Sequence, residues 1–253
     1  MRFIRSILKF IFEYLPLPFR LKIDFDLIPY PYYAFCILRA AVQAKKIGLS
    51  AISVIEFGVA AGQGLCYMQK YARIVSKITN IDISVFGFDS GVGLPKPSDR
   101  QDLPYHWTEG DYKMDVTILK KKLDSKTTLI LGDVKETVLT FFEKYHPAPI
   151  GFIAFDFDYY SSTRDALNIF KTTSENFLPR IIAFFDDILG NGDTLMNDFV
   201  GELLAVNEYN SENNYKLGKV CGFRHSRIIK RPWNDCIFSM HRFDHSRYHM
   251  NIN

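Results

Sequence analysis

Short, nearly continuous apolar runs alternate with amphipathic stretches along the chain. Ile52–Phe57, Ser84–Phe88, Thr128–Leu131, Ile150–Phe157 and Ile181–Phe185 are rich in Ile, Val and Phe. That is the pattern of strands covered on both faces of a sheet. Cys236–His241 reads as a late strand. Between the runs, apolar residues recur at helical spacing over Leu65–Ile78, Asp115–Leu123, Lys135–Tyr145, Ser162–Asn176 and Asp193–Tyr209. A further helical stretch, Tyr32 to Gly48, precedes the first strand. Strand–helix alternation of this kind predicts an α/β fold with a mostly parallel central sheet and helices on both faces. Gly91–Trp107 is rich in proline and polar residues and is expected to be a long loop of the kind that serves as a lid, extending to about 115.

The N-terminus has its own pattern. Phe3, Ile4, Ile7, Leu8, Ile11 and Leu15 fall at helical spacing, interrupted by Arg2, Arg5, Ser6, Lys9 and Glu13. No apolar run reaches the roughly 18 residues a membrane span needs. Lys9 and Glu13 also break the apolar region that a signal peptide requires. Two readings stay open. The helix packs on its own domain or a partner subunit, giving a homodimer, or it lies as a basic amphipathic helix on a membrane surface, a peripheral contact. Residues 1–50 are therefore set apart as an N-terminal helical segment, with the main domain over 51–253.

Composition narrows the field. The 253 residues are 47% hydrophobic and 23% charged, which excludes a disordered or fibrous chain and is enough for one large domain. The net charge, 31 − 28 = +3, gives no reason to expect a nucleic-acid partner. Lys216–Asn253 is locally basic, with eight Lys/Arg against two Asp/Glu (8 − 2 = +6). It reads as a solvated or inter-subunit face, with an anionic sugar, a phosphate-linked glycan or a membrane surface as the lesser reading. Cys36, Cys66, Cys221 and Cys236 are scattered, without zinc-ligand spacing. They suit a reducing, cytoplasmic setting, with the inner face of the membrane as a second location.

Ligands of open α/β sheets bind at the carboxyl ends of the strands. There the sequence carries Glu56 and Gly58, then Asp89, Asp133, Asp156 with Asp158, and Asp186 with Asp187. Single aspartates at strand ends are ordinary turn and capping devices, but five successive acidic ends exceed what capping requires. The loop Glu56–Gly64 (EFGVAAGQG) is spaced Gly-x3-Gly-x-Gly, which is neither the dinucleotide fingerprint nor a P-loop. Glu56 would repel a pyrophosphate yet can hold an ammonium group, and Asp89 can take two ribose hydroxyls. The pair suits S-adenosylmethionine; the plainer reading is a tight strand-to-helix turn. Asp156, Asp186 and Asp187 end strands that look adjacent, and carboxylates brought together favour a hard dication, Mg²⁺, Mn²⁺ or Ca²⁺. A simple turn at Asp186–Asp187 is the alternative. Asp158 points to the same face as Asp156 and is a substrate group or lies behind the ligands.

In order and spacing, VIEFGVAAGQG, GFDSGVGLP, LILGDVKETV, FDFDYYSST and IIAFFDD resemble class I S-adenosylmethionine-dependent methyltransferases. FDSGVGLP with D-x-D-x-Y-x-S-T and a following Asp-Asp is similar to the macrocin O-methyltransferase (TylF-like) group, and the resemblance covers about 52–187. It implies a Rossmann-like fold and Mg²⁺-dependent methylation of a hydroxyl on a sugar, glycan or glycosylated metabolite. Carried over by position, Glu56, Gly58 and Gly62, with Ala60 and Gly64 in the same loop, line the methionine end of the cofactor. Asp89 and Ser90 meet the ribose. Gly132, Asp133 and Val134 lie near the adenine. Asp156, Asp186 and Asp187 bind the metal, and Asp156 or Asp158 takes the hydroxyl proton. Two positions depart from the family: Gly91 replaces a common aromatic, and Ala60 stands where glycine is frequent.

Two other classes are weighed. D-x-D also occurs in metal-dependent glycosyltransferases, but Glu56 opposes the nucleotide diphosphate these use. A non-catalytic scaffold of methyltransferase fold would have no physical need for clustered charge.

Overall fold

The computed structural model describes residues 15–252. The helix expected over Phe3–Leu15 lies outside them, apart from Leu15 itself. Seven strands form one sheet: β1 (Ala51–Phe57), β2 (Asp82–Asp89), β3 (Thr127–Leu131), β4 (Ile150–Phe155), β5 (Phe177–Phe185), β6 (Leu217–Lys219) and β7 (Ile237–His241). Their order is β3-β2-β1-β4-β5-β7-β6. The first five strands are mutually parallel, and β7 runs antiparallel to both β5 and β6. The helices are α1 (Phe19–Asp24), α2 (Pro31–Lys46), α3 (Gln63–Thr79), α4 (Val116–Lys122), α5 (Val134–Tyr145), α6 (Tyr160–Ala166), α7 (Gly201–Glu212) and α8 (Phe223–Ser226). The α/β architecture expected from the alternating pattern is therefore present, and the three-residue β6 is the strand that pattern did not reveal.

Four elements differ clearly from their expected extents: β5 begins at Phe177, four residues before the expected Ile181, and the other three differ as follows. The helix expected over Ser162–Asn176 stops at Ala166 and continues as 3-10 turns at Leu167–Phe170 and Ser174–Asn176. The Arg242 guanidinium takes the carbonyls of Phe170 and Thr172, which a continuing helix would use internally. The helix expected from Asp193 begins only at Gly201. Upstream, Asn191 Oδ1 accepts from the backbone N–H of Asp193 and Thr194, and Asn197 Oδ1 from that of Phe199, so side chains divert the backbone from helix. β4 ends at Phe155 rather than Phe157, because Asp158, at φ +61°, turns the chain toward α6.

The core runs without a break from α1 and α2 into the sheet. Ile23, Ile28, Ala34, Ile37 and Ala40 are buried in the same cluster as the strand residues. α2 brings Tyr32 and Tyr33 over one face, where Tyr32 stacks on Phe184 and Tyr33 meets Phe152 edge-on. The opposite face carries a row of phenylalanines across adjacent strands. Phe88, Phe57, Phe155 and Phe185 are register partners in turn, with ring centroids 4.8, 5.3 and 4.6 Å apart, and Phe238 on β7 extends the row. The residues that follow these four are Asp89, Gly58, Asp156 and Asp186. Acidic groups are thus seated at one level of the sheet directly above a dry aromatic floor.

Candidate active site

A cleft of about 720 Å³ opens at the carboxyl ends of the parallel strands. It is lined by Glu56, Gly58, Ala60 and Gly64 of the glycine loop, by Asp89 and Ser90 after β2, by Gly132, Asp133 and Val134 after β3, and by Asp156, Asp158, Asp186 and Asp187. Gly62 is the expected site residue that does not line it. It caps α3 in a left-handed conformation, and a Cβ there would overlap Leu119 of α4, so its demand is for close packing.

Glu56 is the most constrained of these groups. It is fully buried, and its Oε1 accepts a 2.7 Å hydrogen bond from the Tyr33 hydroxyl. Its Oε2 has no partner. Gly64 must be glycine because a Cβ would occupy the place of Glu56 Oε1. Gly58, at φ +81°, is held as tightly, since a Cβ would overlap the Asp156 carbonyl oxygen. Burial pushes the Glu56 carboxyl up to about 8, against the pull of the Tyr33 hydrogen bond and aided by the neighbouring Asp89.

Asp89 shapes the glycine loop from the next strand. Its Oδ2 accepts from the N–H of Val59 and Ala60, and its Oδ1 from Gly91. This clamp holds Ala60 at φ +47°, a left-handed conformation unfavourable to any residue with a Cβ. Ala60→Gly is expected to raise stability by roughly 0.5 kcal/mol, the strain relieved less the added unfolded-state entropy, measurable as a shifted urea midpoint. Ser90 donates to the Gly93 carbonyl, and Asp133 caps α5 by accepting from Lys135 N–H. Both line the cleft with side chains already engaged.

On the other side, Asp156, Asp158, Asp186 and Asp187 gather with Glu202 from α7. Burial raises Asp156 well above the usual carboxylate range, and Asp186, Asp187, Glu56 and Asp158 add to the shift. Burial together with Asp187 raises Asp158 to about 8. Asp187 rises to about 7 through burial and Asp186. Asp158 N–H donates to Asp187 Oδ2 at 3.3 Å, which keeps the two carboxyls side by side. Glu202 is fully buried; its Oε2 accepts from Asp187 N–H and its Oε1 has no partner. Among the described residues, no group of three or more His, Cys, Asp or Glu side chains is arranged to hold a metal ion as it stands.

The 91–115 segment contributes Val92, Leu94, Pro95, Trp107 and Tyr112 to the cleft wall and is anchored at several points. Backbone bonds join Leu94 N–H to the Asp111 carbonyl and Gly110 N–H to the Leu94 carbonyl. Buried Asp102 accepts from the N–H and hydroxyl of Ser161 at the start of α6. The Tyr159 hydroxyl donates to the Pro95 carbonyl, and that of Tyr105 to the Thr194 carbonyl. Trp107 and Tyr112 face the cleft, while His106 is exposed.

No protein-family model matches the chain, and no curated protein sequence does. The fold does match solved structures. The crystal structure of CalS11, a calicheamicin methyltransferase, superposes with a TM-score of 0.58 at 18% identity, covering 95% of this chain and 91% of that one. Its apo form, described as a TDP-rhamnose 3'-O-methyltransferase, gives 0.51 at 18% identity over 95% and 93%. The O-methyltransferase NovP gives 0.58 at 15% identity over 95% and 97%. The chain has a methyltransferase fold.

Within that fold, three groups were not evident in the sequence. Tyr33, Asp102 and Glu202 act across distances of 23, 59 and 15 residues. The repeated tyrosines of Tyr30-Pro31-Tyr32-Tyr33 were the one visible signal. The raised carboxyls also set a pH dependence. Below about 4.5 Glu56 is protonated in both folded and unfolded chains. Between about 4.5 and 8 the unfolded chain has lost that proton while the folded one retains it, so stability falls as pH rises. The slope is expected to approach about 1.4 kcal/mol per pH unit for each such group and to flatten above about 8. Urea unfolding of the ligand-free protein between pH 5 and 8.5 measures it, and a stability that climbs over this interval would contradict the burial of these acids.

Proposed function

We propose that the protein is an S-adenosylmethionine-dependent O-methyltransferase that acts on a hydroxyl of a sugar, glycan or glycosylated metabolite with the aid of a divalent cation. The observation that carries this reading is the acidic cleft itself. Glu56 Oε2 is buried without a partner on one side, and on the other Asp156, Asp158, Asp186 and Asp187 line the cleft in front of Glu202, whose Oε1 is also buried without a partner. The two ligands that complement such acidic surfaces are an ammonium-bearing sulfonium nucleoside and a hard dication. CalS11 is a TDP-rhamnose 3'-O-methyltransferase with this fold, which favours a sugar acceptor.

In this reading Glu56 Oε2 accepts from the amino group of the methionine end, while Tyr33 holds its other oxygen in place. Asp89 keeps the glycine loop close to the cofactor and meets the ribose beside Ser90; Gly132, Asp133 and Val134 border the adenine. The donor set fits a dication in its chemistry, since Asp156, Asp186 and Asp187 offer hard oxygen ligands and Glu202 behind them keeps a buried oxygen without a partner. A cation bound there would supply Lewis acidity that makes a neighbouring hydroxyl easier to deprotonate. Asp158 accepts the hydroxyl proton, with Asp156 next to it as the other acceptor. The acceptor oxygen forms its bond to the methyl carbon as the carbon–sulfur bond breaks, leaving a neutral thioether. Trp107, Tyr112 and the anchored 91–115 segment exclude water, which favours a step that disperses charge.

A glycosyltransferase would have to place a pyrophosphate against Glu56 and the aspartate cluster, an arrangement the charges oppose. Calorimetry with S-adenosylmethionine, S-adenosylhomocysteine and a UDP-sugar, each with and without Mg²⁺, tests the proposal. Binding of both sulfur nucleosides but not the UDP-sugar is expected; failure of both to bind would end it.

A further inference from the structure

We propose that the face formed by α1 and the 223–231 segment docks on an anionic membrane surface. The two segments are distant in sequence but locked together. Arg227 donates to Asp24 Oδ1 at 3.0 Å and to the Ile23 carbonyl at 2.9 Å, and Arg231 donates to Asp26 Oδ2 at 2.9 Å. Trp233 adds its indole N–H to Asp26 Oδ1. These bonds engage Asp24 of α1 and Asp26 just after it from the protein side, and exposed Arg20 lies 3.7 Å from Asp24.

Leu21 is 41% exposed, Phe25 44% and Ile228 61%, with Leu15 and Leu17 also exposed at the start of the described chain. The side chain of Arg20 is 83% exposed, and Lys230 is exposed beside Ile228. Residues 216–231 hold six Lys/Arg and no Asp or Glu; Lys219 and Arg224 pair with Asp235, and Arg227 and Arg231 with Asp24 and Asp26, yet residues 19–26 and 216–235 together keep eight Lys/Arg against three Asp (8 − 3 = +5). In the sequence, the fourteen residues before Leu15 carry apolar residues at helical spacing with Arg2, Arg5 and Lys9. Apolar side chains among cations are the complement of an anionic interface, where burial of the one and attraction of the other add.

Charge also distinguishes a membrane from a second copy of the chain. A two-fold dimer would bring this face against itself, cation to cation. The position of the face is informative as well. Phe19 of α1 meets Tyr71, Tyr71 meets Tyr67, and Tyr67 stacks on Tyr30, which lines the cleft. A docked protein therefore holds its cleft one row of aromatic rings from the lipid surface. This inference stands apart from the methyl-transfer reading, because it uses no residue of the acidic cluster.

The test is sedimentation of the full chain with vesicles of phosphatidylcholine alone or with about a third phosphatidylglycerol. Binding to the anionic vesicles only is expected, with release as salt rises to about 0.5 M. Leu21→Glu combined with Phe25→Glu is expected to reduce the bound fraction at least about tenfold. Arg20→Glu combined with Lys230→Glu, which leaves every apolar side chain in place, should weaken binding in the same direction, and circular dichroism checks that each variant is folded. Absence of binding to anionic vesicles overturns the proposal, as does equal binding by both folded variants. So does a dimer in solution that the Leu21→Glu, Phe25→Glu variant dissociates.

Discussion

Glu56→Gln is expected to weaken S-adenosylmethionine binding at least about 100-fold, roughly 2.7 kcal/mol, because it removes the anion facing the cofactor's ammonium group. The substitution is close to isosteric. Gln keeps an oxygen for the Tyr33 hydroxyl, so the change tests charge rather than packing. The sign on stability is opposite. A buried carboxylate with an unpartnered oxygen costs the folded state most when it is ionised, so the ligand-free variant should be more stable than the parent above about pH 8. Adenosine lacks the amino-acid end and should bind parent and variant alike. Calorimetry with the two nucleosides, alongside urea unfolding at pH 8.5, reads all three effects. Equal affinity of parent and variant for S-adenosylmethionine would show that Glu56 is a structural acid and that the ammonium group is held elsewhere.

Asp186→Asn should act on the other half of the cleft. Removal of one anionic ligand is expected to lower Mg²⁺-stimulated turnover at least about 1000-fold and to abolish the heat of Mn²⁺ binding, while S-adenosylmethionine affinity stays within about twofold. That division follows from the architecture. Asp186 follows β5, separated by two intervening strands from β2 and its Asp89, and Asp89, not Asp186, holds the glycine-loop N–H groups. Loss of cofactor binding together with turnover would mean that one continuous site, not two adjacent ones, occupies the cleft. Turnover indifferent to Mg²⁺ in the parent would remove the metal from the reading and leave Asp158 with its raised carboxyl as the sole aid to deprotonation.

The parts of the site legible in the sequence share one property: each is local. Glu56 precedes its glycines by two residues, and Asp156 and Asp158 are two apart. Phe-Asp doublets recur at 88–89, 155–156 and 185–186, and in the structure these doublets form the aromatic row and the acidic rim above it. A parallel sheet converts such local repeats into a surface, because in-register strands of similar motif end at the same level. Helix boundaries were less legible where distant groups intervene. Arg242 halts the helix that begins at Tyr160 from more than seventy positions away, and no periodicity near Ala166 announces it.

The amino-acid sequence by itself determined the alternation of strands and helices, the acidic strand ends and the glycine loop, since these depend on residue chemistry within a few positions. Only the tertiary structure decided which acids meet. It placed Tyr33 of α2 on Glu56, Glu202 of α7 behind Asp187, and Asp102 of the 91–115 segment on α6. It also joined the basic tail segment to α1. The physical reason is that a carboxyl's protonation and a surface's charge depend on neighbours brought close by packing and by the exclusion of water, and those neighbours are far apart along the chain.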